Sequence, residues 1–212
     1  AAKMQVYGAV GIDMIAGPSE VVIISDGNSN PGFIAADLLA QAEHDALSRS
    51  ILITTSLELA WSVMKEIRFQ VIKISARKTA EKALKQNGAI IITKNLDHGF
   101  EISNKIAPEH LELIVKNPKV ALRKIKHAGS IFLGQYTPVA TGDYLAGPNH
   151  VLPTAGSARF SSPLSVRDFV KRSSWSSLSK EALDKYGPSI IRLAEKEGLY
   201  GHAESVKVRI LK

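Results

Sequence analysis

The stretch Val21-Val22-Ile23-Ile24-Ser25-Asp26-Gly27 decides the fold class of this 212-residue chain. An uninterrupted apolar run that ends at a turn signal is typical of a parallel strand covered on both faces. Asn30-Pro31 follows closely and combines a preferred N-cap residue with proline at the first helical position. A buried strand that leads into a helix predicts an α/β protein.

The same alternation continues outward from this stretch. Amphipathic segments predict helices over residues 31–47, 56–67 and 76–86, then one that ends at 106 and one over 118–126. Four further apolar runs predict strands, at Ile51–Thr55, Ala89–Thr93, Leu111–Val115 and Ser130–Leu133. Strands that alternate with helices predict a parallel, incomplete Rossmann-like sheet with helices on both faces.

Beyond the last strand the pattern changes. Residues 135–163 are rich in glycine, proline, serine and threonine. They predict a long loop, which in a compact domain usually serves a function. The chain is then helical again, with a break at Gly187-Pro188 and an end at Gly198. We therefore expect an α/β domain over residues 1–163 that carries the functional site, and a separate helical tail over residues 164–212.

Composition excludes several classes of protein and site. The chain has no cysteine, so a metal would need histidine, carboxylate or amide ligands. The net charge is +7, but only 6% of residues are aromatic, so a nucleic-acid partner that stacks bases is not expected. No apolar run approaches membrane-spanning length and no leader pattern is present, so we expect a cytoplasmic protein without membrane association.

Two short segments could carry chemistry. Gln41 and His44 are three residues apart on one face of the first predicted helix, where they could converge on a metal or form an ordinary solvated pair. Glu109 and His110 lie between a predicted helix end and a strand. An acid beside an imidazole suits general acid–base chemistry, although an ordinary polar surface loop has the same composition.

Further candidates lie in turns. Asp143 and His150, in the long loop, offer an oxygen and a nitrogen ligand, or simply favour turns. Ser19, in a tight turn before the first strand, could bond a ligand or the backbone. Glu197 and His202 flank a helix end in the tail, where a solvated terminus is the ordinary interpretation. The sequence contains neither G-x-G-x-x-G nor a Walker loop.

Taken together, these segments resemble the histidinol dehydrogenase family. The resemblance extends over essentially the whole chain, and the motifs occur in family order. The matching segments are IDMIAGPSE (residues 12–20), ADLLAQAEHD (36–45), APEHL (107–111), GDY (142–144) and NHVLPT (149–154). The resemblance implies oxidation of L-histidinol to L-histidine through histidinal, the last steps of histidine biosynthesis, with zinc and NAD as cofactors.

The resemblance also implies a role for each candidate residue. His110 is the implied general base, and Glu109 the group that activates the water that adds to histidinal. The implied zinc ligands are Gln41, His44, Asp143 and His202. The implied substrate contacts are Ser19, His150 and Glu197, together with the zinc ligands and His110. The zinc would orient the reacting carbinol rather than generate hydroxide.

The family further implies a homodimer in which the C-terminal tail crosses to the other subunit, so that Glu197 and His202 complete the partner's site. Family members are longer, with an N-terminal portion that supplies much of the NAD site. This chain begins just before Ile12-Asp13. We therefore expect a partial chain whose NAD-binding residues are unknown. The alternative is a non-catalytic fragment that binds metal and histidinol and dimerises.

Overall fold

A computed structural model describes residues 1–210, in which the chain forms a five-stranded parallel sheet and nine α-helices. The strands are β1 (Glu20–Ser25), β2 (Arg49–Thr54), β3 (Ala89–Ile92), β4 (His110–Ile114) and β5 (Ser130–Leu133). The helices are α1 (Ala2–Val6), α2 (Pro31–Ala42), α3 (Leu57–Gln70), α4 (Arg77–Asn87), α5 (Leu96–Ile106), α6 (Pro118–Ala121), α7 (Val139–Tyr144), α8 (Lys180–Lys196) and α9 (Tyr200–Ile210). Within the part of the chain so described, no helix is both long and apolar enough to cross a membrane.

The chain divides into two compact units, Ala1–Phe169 and Val170–Lys212. The first contains the sheet and helices α1 to α7, and the second contains α8 and α9. The domain boundary predicted at residues 163 and 164 falls a few residues before this division.

The sheet confirms the predicted parallel α/β architecture. Its strand order is β3-β2-β1-β4-β5, so β1 lies at the centre, with β2 and β4 beside it. Val21 and Ile23 pack with α2 and α3 on one face, and Val22 and Ile24 pack with α5 and α6 on the other. Coverage on both faces is the physical reason why β1 is apolar at consecutive positions.

Helix α2 begins as predicted and ends earlier than predicted. Asn30 caps it by accepting a hydrogen bond from the Gly32 amide at 2.8 Å, but the helix stops at Ala42 rather than at residue 47. The Asp45 carboxylate accepts the Leu47 amide at 2.7 Å, a local turn that competes with further helix. Gln41 is therefore in the last turn, and His44 follows the helix instead of extending it.

The predicted break at Gly187-Pro188 is wrong. Helix α8 continues through Pro188, which costs one intrahelical hydrogen bond. A β-carbon at Gly187 would lie 3.2 Å from side-chain atoms of Val206 and Ile210, both on α9. Glycine thus eases close approach of the two helices, and their packing compensates for the proline.

The segment 135–163 is not wholly a loop, contrary to the prediction. It contains α7 and a short 3₁₀ turn at Ser157–Arg159. The α7 sequence VATGDY has β-branched residues and a glycine, which have low helix propensity, so the sequence pattern gave no helical signal. Packing within the first unit stabilises this short helix instead.

The core of the sheet offers a direct test of the fold. Leu52 on β2 is fully buried in the cluster beneath α2 and α3, so Leu52→Ala leaves a cavity. We expect a loss of about 2–5 kcal/mol in the free energy of unfolding, measured by urea denaturation followed by circular dichroism. Leu57→Ala, at an exposed site on α3, is the matched control and should change it by less than about 0.5 kcal/mol. Equal effects of the two changes would contradict the assigned core.

Candidate active site

The candidate residues of the first unit gather at the amino-terminal edge of the sheet. Strand β1 begins at Glu20, directly after Ser19, and β4 begins at His110, directly after Glu109. Helix α2 follows β1 and runs back across the sheet, which returns its last turn, with Gln41, to the same edge. Ligands of open parallel sheets usually bind at the opposite, carboxyl-terminal edge. That general rule would therefore have predicted the wrong edge for this cavity.

These residues line one cavity of about 250 Å³. Its lining consists of Ser19, Gln41, His44, Glu109, His110, Asp143, Tyr144 and His150. Every site residue predicted within the first unit is present, and Tyr144 is an addition that the sequence did not single out. Glu197 ends α8 and His202 lies on α9, so both belong to the second unit.

The cavity has a buried floor and an exposed rim. Gln41, Glu109 and His110 on the floor are each 6% exposed or less. His44 and His150 on the rim are exposed, which leaves them open to an incoming ligand. A polar floor shielded from water strengthens any hydrogen bond or charge interaction made there.

The imidazole of His110 is held in one tautomer by the backbone. Its Nδ1 lies 3.0 Å from the main-chain carbonyl oxygen of Glu20. A carbonyl oxygen can only accept, so Nδ1 carries the hydrogen and donates it. The Nε2 atom of the neutral ring is then a free acceptor, and it is buried without a hydrogen-bond partner. An unpartnered buried nitrogen beside a cavity is the geometry expected of a proton acceptor.

Glu109 is fixed by the same backbone residue. Its Oε2 accepts the amide hydrogen of Glu20 at 2.9 Å and lies 3.4 Å from His110 Nδ1. The Glu20 side chain points elsewhere, where its Oε1 lies 3.2 Å from an Arg49 guanidinium nitrogen. Burial raises the pKa of the Glu20 carboxyl, and Arg49 opposes that rise only in part. Both backbone polar groups of Glu20 thus hold side chains that line the cavity.

Two unusual backbone conformations, a positive φ and a close chain approach, flank Glu109 and His110 beside the cavity. Ala107, which ends α5, has φ of 53°, a left-handed conformation uncommon for a residue with a β-carbon. Gly129 passes so close to the chain that an added β-carbon would lie 2.6 Å from the Glu109 carbonyl oxygen. Backbone strain and close approach of this kind concentrate at functional sites.

Asp143 reaches the cavity because α7 packs tightly on β5. An added β-carbon at Gly142 would lie 2.7 Å from a ring carbon of Phe132, so only glycine fits there. The Phe132 ring in turn lies 6.1 Å, between centroids, from the His110 ring. The GDY motif therefore needs its glycine for packing and its aspartate for the cavity.

A pair of carboxyl groups, one buried and one half-buried, lies beside the site, and sequence analysis did not select it. The carboxyl groups of Glu112 on β4 and Asp37 on α2 lie close enough to interact. Burial raises the pKa of Asp37 to about 6, and burial together with the Asp37 charge raises that of Glu112 well above its usual range. The available signal was a glutamate within the apolar run LELI, which alternation alone leaves unexplained.

The donor set of the first unit fits a zinc ion. Gln41, His44 and Asp143 provide an amide, an imidazole and a carboxylate around one cavity, and zinc accepts nitrogen and oxygen ligands. Among residues 1–210, no three His, Asp or Glu side chains are placed to hold a metal by themselves. A site here would therefore depend on the Gln41 amide and on at least one ligand beyond these three.

The hydrogen bond to the Glu20 carbonyl predicts the tautomer of His110. We expect the neutral ring to carry its proton on Nδ1, the less common form in free histidine. The ¹⁵N chemical shifts of the ring, measured by long-range ¹H–¹⁵N correlation NMR, distinguish the two forms, and exposed His98 serves as the internal control. A proton on Nε2 of His110 would contradict the assigned base geometry.

The carboxyl pair predicts how stability depends on pH. The folded protein retains a Glu112 proton that the unfolded chain releases near pH 4–5, so folding stability falls as pH rises above that range. Glu112→Gln removes this titration and keeps the shape. Between pH 5 and 7 we expect the native protein to lose stability faster than the variant, by on the order of 1 kcal/mol per pH unit. Urea midpoints at several pH values measure the difference, and parallel pH curves would contradict it.

Comparison with known proteins places the chain in a family. The histidinol dehydrogenase family model matches residues 1–210. The chain is 57% identical over 208 residues to histidinol dehydrogenase from Clostridium acetobutylicum, which covers 98% of the chain and 48% of that relative. Over 209 residues it is 54% identical to the Geobacter metallireducens enzyme, which covers 99% of the chain and 48% of that relative.

A solved structure gives the same result. The crystal structure of histidinol dehydrogenase from Elizabethkingia anophelis superposes with a TM-score of 0.87 at 40% identity, over 93% of this chain and 46% of that one. The chain thus spans about half the length of the curated relatives it matches. Sequence and fold agree, and the chain belongs to the histidinol dehydrogenase family.

Proposed function

We propose that this chain forms the zinc and substrate site of an enzyme that oxidises L-histidinol to L-histidine through histidinal, the last steps of histidine biosynthesis. Family membership supports the reaction. The single observation that carries the proposal is the unpartnered Nε2 of His110 on the floor of a cavity that also holds Gln41, His44 and Asp143.

The proposed metal ligands are Gln41, His44 and Asp143, with His202 as the fourth. A zinc ion held by these residues would supply a positive centre for the amino and imidazole nitrogens of histidinol. Two of the proposed ligands differ in exposure. Gln41 is buried and approaches from the floor, whereas His44 is on the exposed rim, where a ligand enters.

His110 acts as the general base. Its Nε2 takes the proton from the substrate hydroxyl as hydride departs, because Nδ1 is already committed to the Glu20 carbonyl. Protonation of Nε2 gives an imidazolium that donates from both nitrogens. Glu109, whose Oε2 lies 3.4 Å from Nδ1, stabilises that positive charge.

Glu109 has a second role in the aldehyde stage. Histidinal must add water before it can lose a second hydride, and Glu109 accepts a proton from that water. The Glu20 amide holds one oxygen of the Glu109 carboxylate in place, which orients the group without neutralising it. Ser19 and His150, on the same cavity, contact the substrate.

The hydride acceptor is NAD by resemblance, and it supplies the two oxidation steps when bound. The chain has no glycine-rich dinucleotide fingerprint, and the cavity at the amino edge is not a nucleotide crevice of the usual kind. We assign no residue of this chain to NAD.

The tail completes the site in a homodimer. We assign Glu197 to the substrate and His202 to the zinc of the partner subunit, with residues 164–212 exchanged between subunits. Exchange of an element between identical chains is a low-cost route to a dimer. It also explains why the first unit alone provides fewer ligands than a tetrahedral zinc site requires.

A second candidate function is non-catalytic. The chain covers about 48% of its relatives, which favours a part that binds zinc and histidinol and dimerises without turnover. Calorimetry together with an NADH assay on the complete gene product distinguishes the two, since the second candidate predicts zinc-dependent histidinol binding with no NADH formed.

Three substitutions test the catalytic proposal in the complete product of the gene that encodes this chain. His110→Asn should lower kcat for histidinol-dependent NADH formation by about 10²–10⁴-fold and leave the zinc content unchanged. His44→Ala should remove most of the bound zinc, measured by plasma emission spectrometry. His98→Ala, at an exposed histidine on α5, is the matched control and should change neither value.

The two substitutions at proposed site residues can also contradict the proposal. Full activity in His110→Asn would exclude His110 as the base. Retention of zinc and activity in His44→Ala would exclude His44 as a ligand. If the unmodified protein forms no NADH with histidinol but binds it with zinc, the non-catalytic candidate is correct.

A further inference from the structure

The pair formed by half-buried Asp37 and buried Glu112 has no role in the mechanism above, yet it lies beside the proposed site. Glu112 is 2% exposed and comes two residues after His110 on β4, so both side chains leave the same face of the strand. Helix α2 covers that face, and Asp37 on α2 meets Glu112 there.

Two carboxyl groups that hydrogen-bond to each other must share a proton, because neither carboxylate has a hydrogen to donate. Within residues 1–210, no lysine, arginine or histidine forms an ion pair with Asp37 or Glu112. The more deeply buried Glu112 retains the proton and donates it to Asp37, since burial disfavours its ionised form most.

The same Glu112 carboxyl holds the start of α7. Its Oε1 accepts the amide hydrogen of Val139 at 3.1 Å. Val139 is the first residue of α7, and the N-cap position is Pro138, whose side chain cannot cap. Glu112 therefore satisfies an end group that this short helix cannot satisfy from its own sequence.

Asp37, Glu112 and Val139 each lie one helical turn, or one position on the same strand face, from a residue of the proposed site. Asp37 is one helical turn before Gln41 on α2, and Val139 is one turn before Asp143 on α7. Glu112 is the next residue after His110 on the same face of β4. One shared proton thus connects the three elements that hold two proposed ligands and the base.

We propose that Asp37 and Glu112 are positioning residues that lock α7 to α2 and β4, and so fix Asp143 relative to Gln41 and His110. The ligand and base roles rest on the proposed function, whereas the locking of α7 does not. Supporting partners of this kind commonly change metal affinity by about 10–100-fold when they are removed.

The decisive comparison is Glu112→Gln with Glu112→Ala in the complete gene product. Glutamine keeps both hydrogen bonds, because its amide nitrogen donates to Asp37 and its oxygen accepts from Val139. We expect it to match the native protein in zinc affinity and in exchange of the α7 amides. Alanine should raise the zinc dissociation constant about 10–100-fold and speed amide exchange over residues 139–144 about fivefold or more.

The matched control is Ser25→Ala, which removes a buried polar group at the carboxyl end of β1, bonded to Ser29 at 2.8 Å. It should destabilise the sheet without changing zinc affinity or amide exchange in α7.

Asp37→Ala should reproduce the effects of Glu112→Ala. The double variant should be no worse than the more severe single change, since both substitutions break the same linkage. Chelator competition measures zinc, and mass spectrometry measures amide exchange.

Two results would overturn the proposal. One is a Glu112→Gln variant as impaired as Glu112→Ala, which would mean that charge rather than the shared hydrogen bond is required. The other is a Glu112→Ala variant with the α7 exchange of Ser25→Ala. A native protein that binds no zinc would instead refute the proposed function, and amide exchange over α7 would still decide whether the pair holds that helix.

Discussion

The parallel pairing of β1 with β4 is the constraint on which the site depends. It places Val21 opposite His110, so the peptide groups of Glu20 lie next to the side chains of Glu109 and His110. The Glu20 amide binds Glu109 and its carbonyl binds His110. Both side chains are therefore oriented by main chain, which cannot rotate away or change its protonation. A shift of one residue in this register would send His110 to the opposite face of the sheet.

Burial of charge is concentrated at this edge of the sheet. Among residues 1–210, the buried ionisable side chains are Glu20, Glu109, His110 and Glu112, which all lie on β1, on β4 or directly before it. Burying such groups without partners costs several kcal/mol, so each has a backbone group, a cation or a shared proton. The exceptions are Glu20 Oε2 and His110 Nε2, which lack partners. The apolar interior residues of β1 and β2 supply stability that offsets the cost of burying these polar groups.

Sequence patterns predicted the elements that are set by short-range periodicity. The apolar runs became strands within one or two residues, and Asn30 caps α2 with its side chain. The errors came from tertiary packing. Pro188 sits inside a continuous helix because Gly187 lets α9 approach, and α7 forms within a predicted loop because Glu112 and β5 hold it. Local propensity contains no information on either contact.

The sequence by itself determined the chemical inventory: a cysteine-free set of amide, imidazole and carboxylate donors in five recognisable motifs, on a strand–helix alternation that allows only a parallel sheet. Only the tertiary structure decided that Nε2 of His110 is the nitrogen left as a free acceptor, because the carbonyl that binds Nδ1 is 90 residues away in the chain. The tertiary structure alone also determined that Asp37 lies beside Glu112 and that Asp143 and Gln41 line one cavity. Hydrogen bonds between distant residues follow from strand register and helix packing, which no local pattern of residues specifies.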